Sequence, residues 1–330
     1  MIIGHQRILE FLNKSIKNQR LAHAYLFTGP AHLGKRAVAF EFIRMLVGQE
    51  IDKAIHPDIL IIEPEIVEKD GKEKELEIGI AQARKIQHQM SLFPYQADYK
   101  IALIDGAEKM TSEAGNCLLK TLEEPSGQAI LILIAAHYQR LLPTIVSRCQ
   151  LVNFLPVAEE EIELSLRGRR PKQSRTINHG IAASSRHKVG TPRNDNLDKI
   201  IRLANGRPGL AIQYLENPEL LEEENKNIVQ LEKLLRAGLN ERYQYVEQMA
   251  KNAPLARQIL NYWLLWFRDL LLLSVGCSDL IIHSGISQYQ RVYSLPKLKN
   301  IIQTIKKTNW LLANSSINAR LALEVLMLEI

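Results

Sequence analysis

The 330-residue sequence predicts an α/β fold followed by an all-α region, and three observations carry that prediction. Apolar runs of strand length alternate with helically spaced segments through the first half. One of those runs ends in a glycine-containing loop that opens a helix. Beyond about Glu219 every strong pattern is helical, and no strand signal appears.

The elements follow in order. Ile8, Phe11, Leu12 and Ile16 recur at helical spacing with polar residues between them. Ala24–Phe27 is a short buried-strand run ending at Gly29-Pro30, and a helix is expected from about Lys35 to Leu46. Ile59–Ile62, Ile101–Ile104 and Ala129–Ile134 are further apolar runs of strand length. Between the last two, Ala107, Met110, Ala114, Cys117, Leu118 and Leu122 lie on one helical stripe, stopped by Pro125. Strands apolar on both faces and separated by helices indicate a parallel sheet covered by helices. Glu159–Leu166 reads as a helix. Helical patterning resumes at Leu197, runs to Ala204 and breaks at Asn205-Gly206-Arg207-Pro208-Gly209.

Composition narrows the class. Apolar residues make up 46% and charged residues 24%, ordinary globular values that exclude a disordered chain. The run Ile259–Val275 is interrupted by Arg268-Asp269, too charged for a bilayer span, so a buried helix is expected there. No basic start leads into an apolar core and a small-residue cleavage site. Cys117, Cys149 and Cys277 lie far apart and match neither a disulfide framework nor a zinc spacing. A cytoplasmic protein with reduced cysteines is expected. The net charge of +6 is concentrated: residues 167–196 hold eight basic residues against one acid, and the remainder is near neutral. That stretch is rich in Arg, Ser, Gly, Pro and Asn and has no aromatic residue for base stacking. It is expected to be a solvated insertion, with a phosphate-binding arm as the alternative.

Gly29-Pro30-Ala31-His32-Leu33-Gly34-Lys35 fits the G-x-x-x-x-G-K phosphate loop, directly after a strand and before a helix. In such loops backbone N–H groups and the helix N-terminus meet phosphate oxygens, and the lysine reaches the terminal phosphates. The next residue should carry a hydroxyl for Mg²⁺; here it is Arg36, which cannot ligate a cation. Asp105 ends its apolar strand where a carboxylate suits Mg²⁺, but Gly106 follows in place of a water-activating glutamate, and Glu108 lies too far on to replace it. Losing both groups removes several orders of magnitude in hydrolysis. Two readings remain for the loop, a weak or empty nucleotide site and a purely structural turn.

Three further segments point to one family. Ala114-Gly115-Asn116-Cys117-Leu118-Leu119-Lys120-Thr121-Leu122-Glu123-Glu124-Pro125 resembles the A-x-N-x-LLKTLEEP helix of bacterial clamp-loader subunits, proteins of the AAA+ superfamily. Leu142-Pro143-Thr144-Ile145-Val146-Ser147-Arg148-Cys149 looks like their LPTIxSRC segment. Asn318–Glu324 resembles the N-x-x-L-x-LE close of their last helix. Gly4-His5 with Leu21–Phe27 looks like the family's opening, so the resemblance covers nearly all of the chain outside 167–196. It implies a RecA-like core over 1–155, a small helical lid over 156–215 that holds the insertion, and a helical collar over 216–330. It also implies assembly with gamma/tau and delta subunits in a hetero-oligomeric ring within the DNA polymerase III holoenzyme, acting on the sliding clamp and primer-template DNA.

Within that family the motor subunits keep a Lys-Ser/Thr loop and an Asp-Glu pair. Lys35-Arg36, Asp105-Gly106 and His56-Pro57-Asp58 look instead like the catalytically impaired delta-prime branch. Many relatives carry a four-cysteine zinc module just before that tripeptide. Gly48–Ile55 holds no cysteine, so zinc is expected to be absent. No cofactor is expected to be required, and ATP or ADP would bind weakly at Gly29, Gly34, Lys35 and Asp105. The resemblance implies that Arg148 is an arginine finger, entering a neighbour's ATP site and neutralising charge on the γ-phosphoryl group. A looser match gives Arg207 a nucleotide-facing role, and Ala135-Ala136 stands where related ATPases place a polar γ-phosphate sensor. The rival readings are an active gamma/tau-type motor ATPase and, in another class, a stand-alone DNA-binding protein driven by the basic segment.

Deleting residues 167–196 is expected to leave the slope of log K against log salt for DNA binding unchanged. A slope shallower by about one or more would assign phosphate contacts to that segment.

Overall fold

The computed structural model describes residues 2–48, 56–69, 72–125, 128–168, 192–283, 285–313 and 317–330. They fall into two compact units, Met1–Ile212 and Gln213–Ile330. The zinc position expected to be absent and most of the basic stretch, 169–191, lie outside the described residues.

The first unit is built on strands β1 (Ala24–Thr28), β2 (Ile59–Ile62), β3 (Ile66–Lys69), β4 (Lys72–Glu75), β5 (Lys100–Asp105), β6 (Ala129–Ala135) and β7 (Gln150–Asn153). Five of them form one sheet in the order β2-β5-β6-β1-β7, parallel at every pairing. All residues of β1 and all of β6 are buried, as central strands covered on both faces must be. Alternate side chains point to opposite faces. Leu26, Ala102, Ile104 and Leu131 pack under α3 (Ile80–Met90) and α4 (Ser112–Glu123). Tyr25, Phe27, Leu103 and Ile132 pack under α1 (Gln6–Lys17) and α2 (Lys35–Val47). The result is a three-layer α/β/α core, the parallel sheet read from the apolar runs.

Three details differ from the sequence reading. The stripe from Ala107 to Leu122 is not one helix: a short turn at Ala107–Lys109 ends where Met110 takes an extended conformation. There Ile78 N–H donates to Lys109 O and Thr111 N–H to Ile78 O, and the Thr111 side chain then caps α4 through Ala114 N–H. Tertiary pairing overrides the helical spacing. Strand β7 and the antiparallel β3–β4 pair were not expected from the sequence. In β7 only Val152 is buried, and β4 is the run Lys-Glu-Lys-Glu, so neither shows a continuous apolar signal. The helix before the basic stretch, α6, spans Glu159–Gly168 after the four-residue α5 (Pro143–Val146), and the helix after it, α7, begins at Pro192 rather than Leu197 and ends at Ala204. A further helix, α8 (Pro208–Glu216), opens at the Pro-Gly pair, since proline suits a first helical turn.

Asp58 of the His-Pro-Asp tripeptide is a buried anchor. Its carboxylate accepts from the N–H groups of Tyr95, Gln96 and Ala97 and from Lys100 Nζ at 2.8, 2.6, 2.9 and 2.8 Å. Burial alone would raise its pKa, but the Lys100 ammonium and the three amides hold it well below the usual carboxylate range. The loop so fixed carries Phe93 and Tyr95, 87% and 80% exposed.

The second unit is helical, with no strand among the described residues: α9 (Glu219–Arg236), α10 (Leu239–Met249), α11 (Ala253–Val275), α12 (Leu295–Leu311) and α13 (Ala319–Glu329). Helix α11 contains the apolar run that the sequence assigns to a buried helix. Trp263, Trp266, Phe267 and Leu270 are fully buried there, and burial of Phe267 and of Leu270 contributes roughly 1.5–3 kcal/mol each. No helix among the described residues is long and apolar enough to cross a membrane.

Asp269 on α11 is also fully buried. It accepts from the N–H groups of Ile282 and His283 and pairs with His283 Nδ1 at 2.8 Å, while Arg268 Nη1 stands 3.3 Å away. Glu224 of α9 lies 3.7 Å from the other imidazole nitrogen. Burial pushes the His283 pKa down, but contact with Asp269 and the charges of Asp269 and Glu224 outweigh it, and the net shift is upward. A raised folded pKa means that the stabilisation is complete below about pH 6.5, the unfolded value, and is lost as pH rises through the folded value. Thermal unfolding of His283→Gln is therefore expected to fall further below wild type near about pH 6 than near about pH 9. Equal deficits at both values would show that His283 is neutral in the folded chain.

Candidate functional site

The sheet register assembles the site. Ile62 of β2 pairs with Ile104 of β5, so the next residues, Glu63 and Asp105, stand side by side at the carboxyl edge. Asp105 in turn is level with Ile134 of β6, and Thr28 of β1 leads into the phosphate loop beside them. Ligands of open parallel sheets gather at this edge. Here it borders a cavity of about 850 Å³, lined among others by His32, Gly34, Lys35, Arg36, Asp105 and Glu108.

The loop is held by its own surroundings. Gly29 has φ +137°, and a Cβ there would sit 2.4 Å from Phe154 O, so only glycine fits. Lys35, 7% exposed, donates from Nζ to the carbonyls of Gly29 and Pro30 at 2.6 and 2.7 Å. Burial lowers its pKa, partly offset by the charges of Glu108 and Asp105. His5 Nε2 lies 2.8 Å from Leu33 O, and Gly209 N–H donates to His32 O at 2.8 Å. The N-terminal segment and the start of α8 thus both clasp the loop.

Arg36 occupies the position where a hydroxyl would hold Mg²⁺. Its Nη1 donates to Asp105 Oδ2 at 2.9 Å and its Nη2 to Glu63 Oε1, and its guanidinium lies over the Phe40 ring, 5.5 Å from the centroid. The contact with Glu63 raises the Arg36 pKa further. Burial raises the Asp105 pKa against the opposing pull of Arg36. A magnesium ion does not fit this donor set: the hydroxyl is missing, and a fixed cation already spans both carboxylates. At the β6 end, Ala136 N–H donates to Glu108 Oε1 at 3.0 Å. Glu108 therefore serves the strand end rather than a water, and its Oε2 has no hydrogen-bond partner among the described residues.

The other two arginines stand outside this cavity. Arg207 donates from Nε to Ala204 O at 3.1 Å. Burial, followed by the charge of Arg207, lowers the His32 pKa. Arg148 follows α5, whose Ile145 is buried. Its Nη1 donates to Thr144 O at 3.0 Å, and its Nη2 pairs with Glu123 Oε1 at 2.8 Å at the end of α4. The LLKTLEEP-like and SRC-like segments therefore meet through one ion pair, with the Arg148 side chain 35% exposed. Glu63 and Glu123 were not picked out by sequence reasoning. The signal for Glu63 was available: a carboxylate directly after an apolar strand, as at Asp105.

Residues 4–158 match the family described as "DNA polymerase III, delta subunit". A DNA polymerase III subunit delta-prime of Bacillus subtilis is 27% identical over 98% of this chain and 95% of its own length. The delta-prime subunit of Pseudomonas aeruginosa is 38% identical over 39% of this chain and 42% of its own. The tau subunit of B. subtilis is 28% identical over 49% of this chain and 30% of its own.

The clasp between α8 and the loop leaves no room for a side chain: a Cβ on Gly209 would lie 2.8 Å from His32 O. Alanine is the better helix former, yet Gly209→Ala is expected to lower stability by about 1–3 kcal/mol, read as a fall in Tm. An unchanged or higher Tm would mean that the loop moves aside freely.

Proposed function

We propose that this chain, a clamp-loader subunit of the DNA polymerase III delta-prime family, is a stator that hydrolyses no ATP itself and lends Arg148 to a neighbouring subunit's ATP site. The observation that carries this reading is the Arg36 bridge between Asp105 and Glu63. A site whose metal position holds an arginine, and whose water-activating position is Gly106, lacks two of the groups that phosphoryl transfer uses. What the chain can still contribute is a cation placed from outside. A guanidinium supplied in trans to the γ-phosphoryl group is worth about 10³–10⁵ in rate, because charge spreads over the equatorial oxygens as the bond to the leaving group loosens.

Arg148 suits that use. It sits at the surface after a short helix anchored by buried Ile145, and its guanidinium is oriented by Thr144 O and Glu123. Among the described residues two of its five N–H donors are engaged in this way, which leaves others for phosphate oxygens. In the same reading, the helical unit Gln213–Ile330 packs against gamma/tau and delta subunits, and the ring they form acts on the sliding clamp and primer-template DNA. Arg207, with its Nε on the Ala204 carbonyl, keeps the turn before α8 in shape beside the loop.

Reconstitution with motor and delta subunits tests the role. Clamp- and DNA-stimulated ATPase is expected to fall on the order of 10³-fold for Arg148→Ala, with assembly on a sizing column unchanged. A drop of less than about tenfold would count against the finger, and brisk hydrolysis by the isolated chain would favour a motor ATPase instead.

A further inference from the structure

The phosphate loop has no place for magnesium because that place is filled. Glu63 and Asp105 stand side by side by strand register, facing the first turn of α2. Paired carboxylates at the edge of a phosphate loop are hard oxygen donors of the kind that hold Mg²⁺ directly or through water. Arg36 spans both with separate nitrogens, and the Phe40 ring supports its planar face. Arginine does not deprotonate in proteins, so this cation is permanent and, being covalently attached, cannot be exchanged. A divalent ion approaching either carboxylate meets a like charge and must first break the bridge.

We propose that Arg36 is a resident cation that takes the place of a nucleotide's magnesium, so that the pocket refuses metal-bound nucleotide and any polyphosphate it takes is metal-free. This goes beyond the stator role, which requires only that the site be inactive. The ligand class follows from size and charge. A cavity of about 850 Å³ accommodates a nucleoside di- or triphosphate. Lys35, Arg36 and Lys109 on its walls are balanced by Glu63, Asp105 and Glu108, so the pocket offers little net attraction for an anion. Lys35 must also leave the carbonyls of Gly29 and Pro30 to reach a phosphate. Binding is therefore weak, and magnesium does not improve it.

The test uses the isolated full-length chain with ATP and ADP as probes, followed by isothermal titration and thermal unfolding in Mg²⁺ and in EDTA. Wild type is expected to show no gain in affinity on adding Mg²⁺. Arg36→Ser restores a hydroxyl and frees both carboxylates. It is expected to bind ATP at least about tenfold more tightly with Mg²⁺ than with EDTA and to take up Mn²⁺ visibly by electron paramagnetic resonance. Arg36→Lys keeps a cation and is expected to stay Mg²⁺-indifferent. Wild-type binding that tightens with Mg²⁺ would overturn the proposal. So would an Arg36→Ser chain, folded by circular dichroism, that gains no Mg²⁺ dependence. Should the serine variant not fold, the wild-type titration alone decides. No loader partner is present in these measurements, so their failure is separate from that of the stator role.

Discussion

The parallel register of β2, β5, β6 and β1 is the constraint on which the site depends. Backbone pairing sets Ile62 against Ile104 and Asp105 against Ile134, and the side chains one step further on inherit that alignment. Glu63 and Asp105 thus come together although 42 residues separate them, and a single guanidinium can span both. Burial of every residue in β1 and β6 leaves that register no freedom to slip. The ion pairs themselves are half exposed and contribute little to stability. Their effect is to settle which cation stands at the sheet edge.

A second layer of constraint acts on the loop. Its carbonyls at Gly29, Pro30, His32 and Leu33 are met by Lys35, Gly209 N–H and His5. Each such contact contributes on the order of 1 kcal/mol, and together they tie the N-terminal segment, the sheet edge and α8 to one short turn. Here the turn is satisfied from within the unit Met1–Ile212.

Much of this was legible in the sequence, and the exceptions have physical causes. Central strands announce themselves by runs such as Ala129–Ile134, because burial on both faces excludes polar residues. Edge strand β7 buries only Val152 and leaves no such trace. The single stripe drawn from Ala107 to Leu122 was misled by spacing, since the extended Met110 pairs across to Ile78, a partner far away in sequence. The defects at Arg36 and Gly106 were readable as missing chemistry, but the bridge to Glu63 was not. Which carboxylate neighbours Asp105 depends on strand order, and β2 lies beside β5 only once the sheet is assembled.

The same reasoning separates two arginines that the sequence presents alike. Arg36 is held by two carboxylates at the cavity wall, so its charge is consumed where it stands. Among the described residues Arg148 meets one carboxylate, Glu123, and one neutral carbonyl, which leaves donors unengaged and residual positive charge. An exposed pair such as Arg148–Glu123 contributes at most about 1 kcal/mol to folding, which is too little to explain it as a stabilising device. Holding the side chain in one geometry, however, removes part of the roughly 2 kcal/mol of rotamer entropy that a free arginine would lose on docking. A guanidinium already oriented by its own subunit reaches a partner's phosphate with less ordering left to do. Under the proposed finger role, the meeting of the LLKTLEEP-like and SRC-like segments orients that cation in advance.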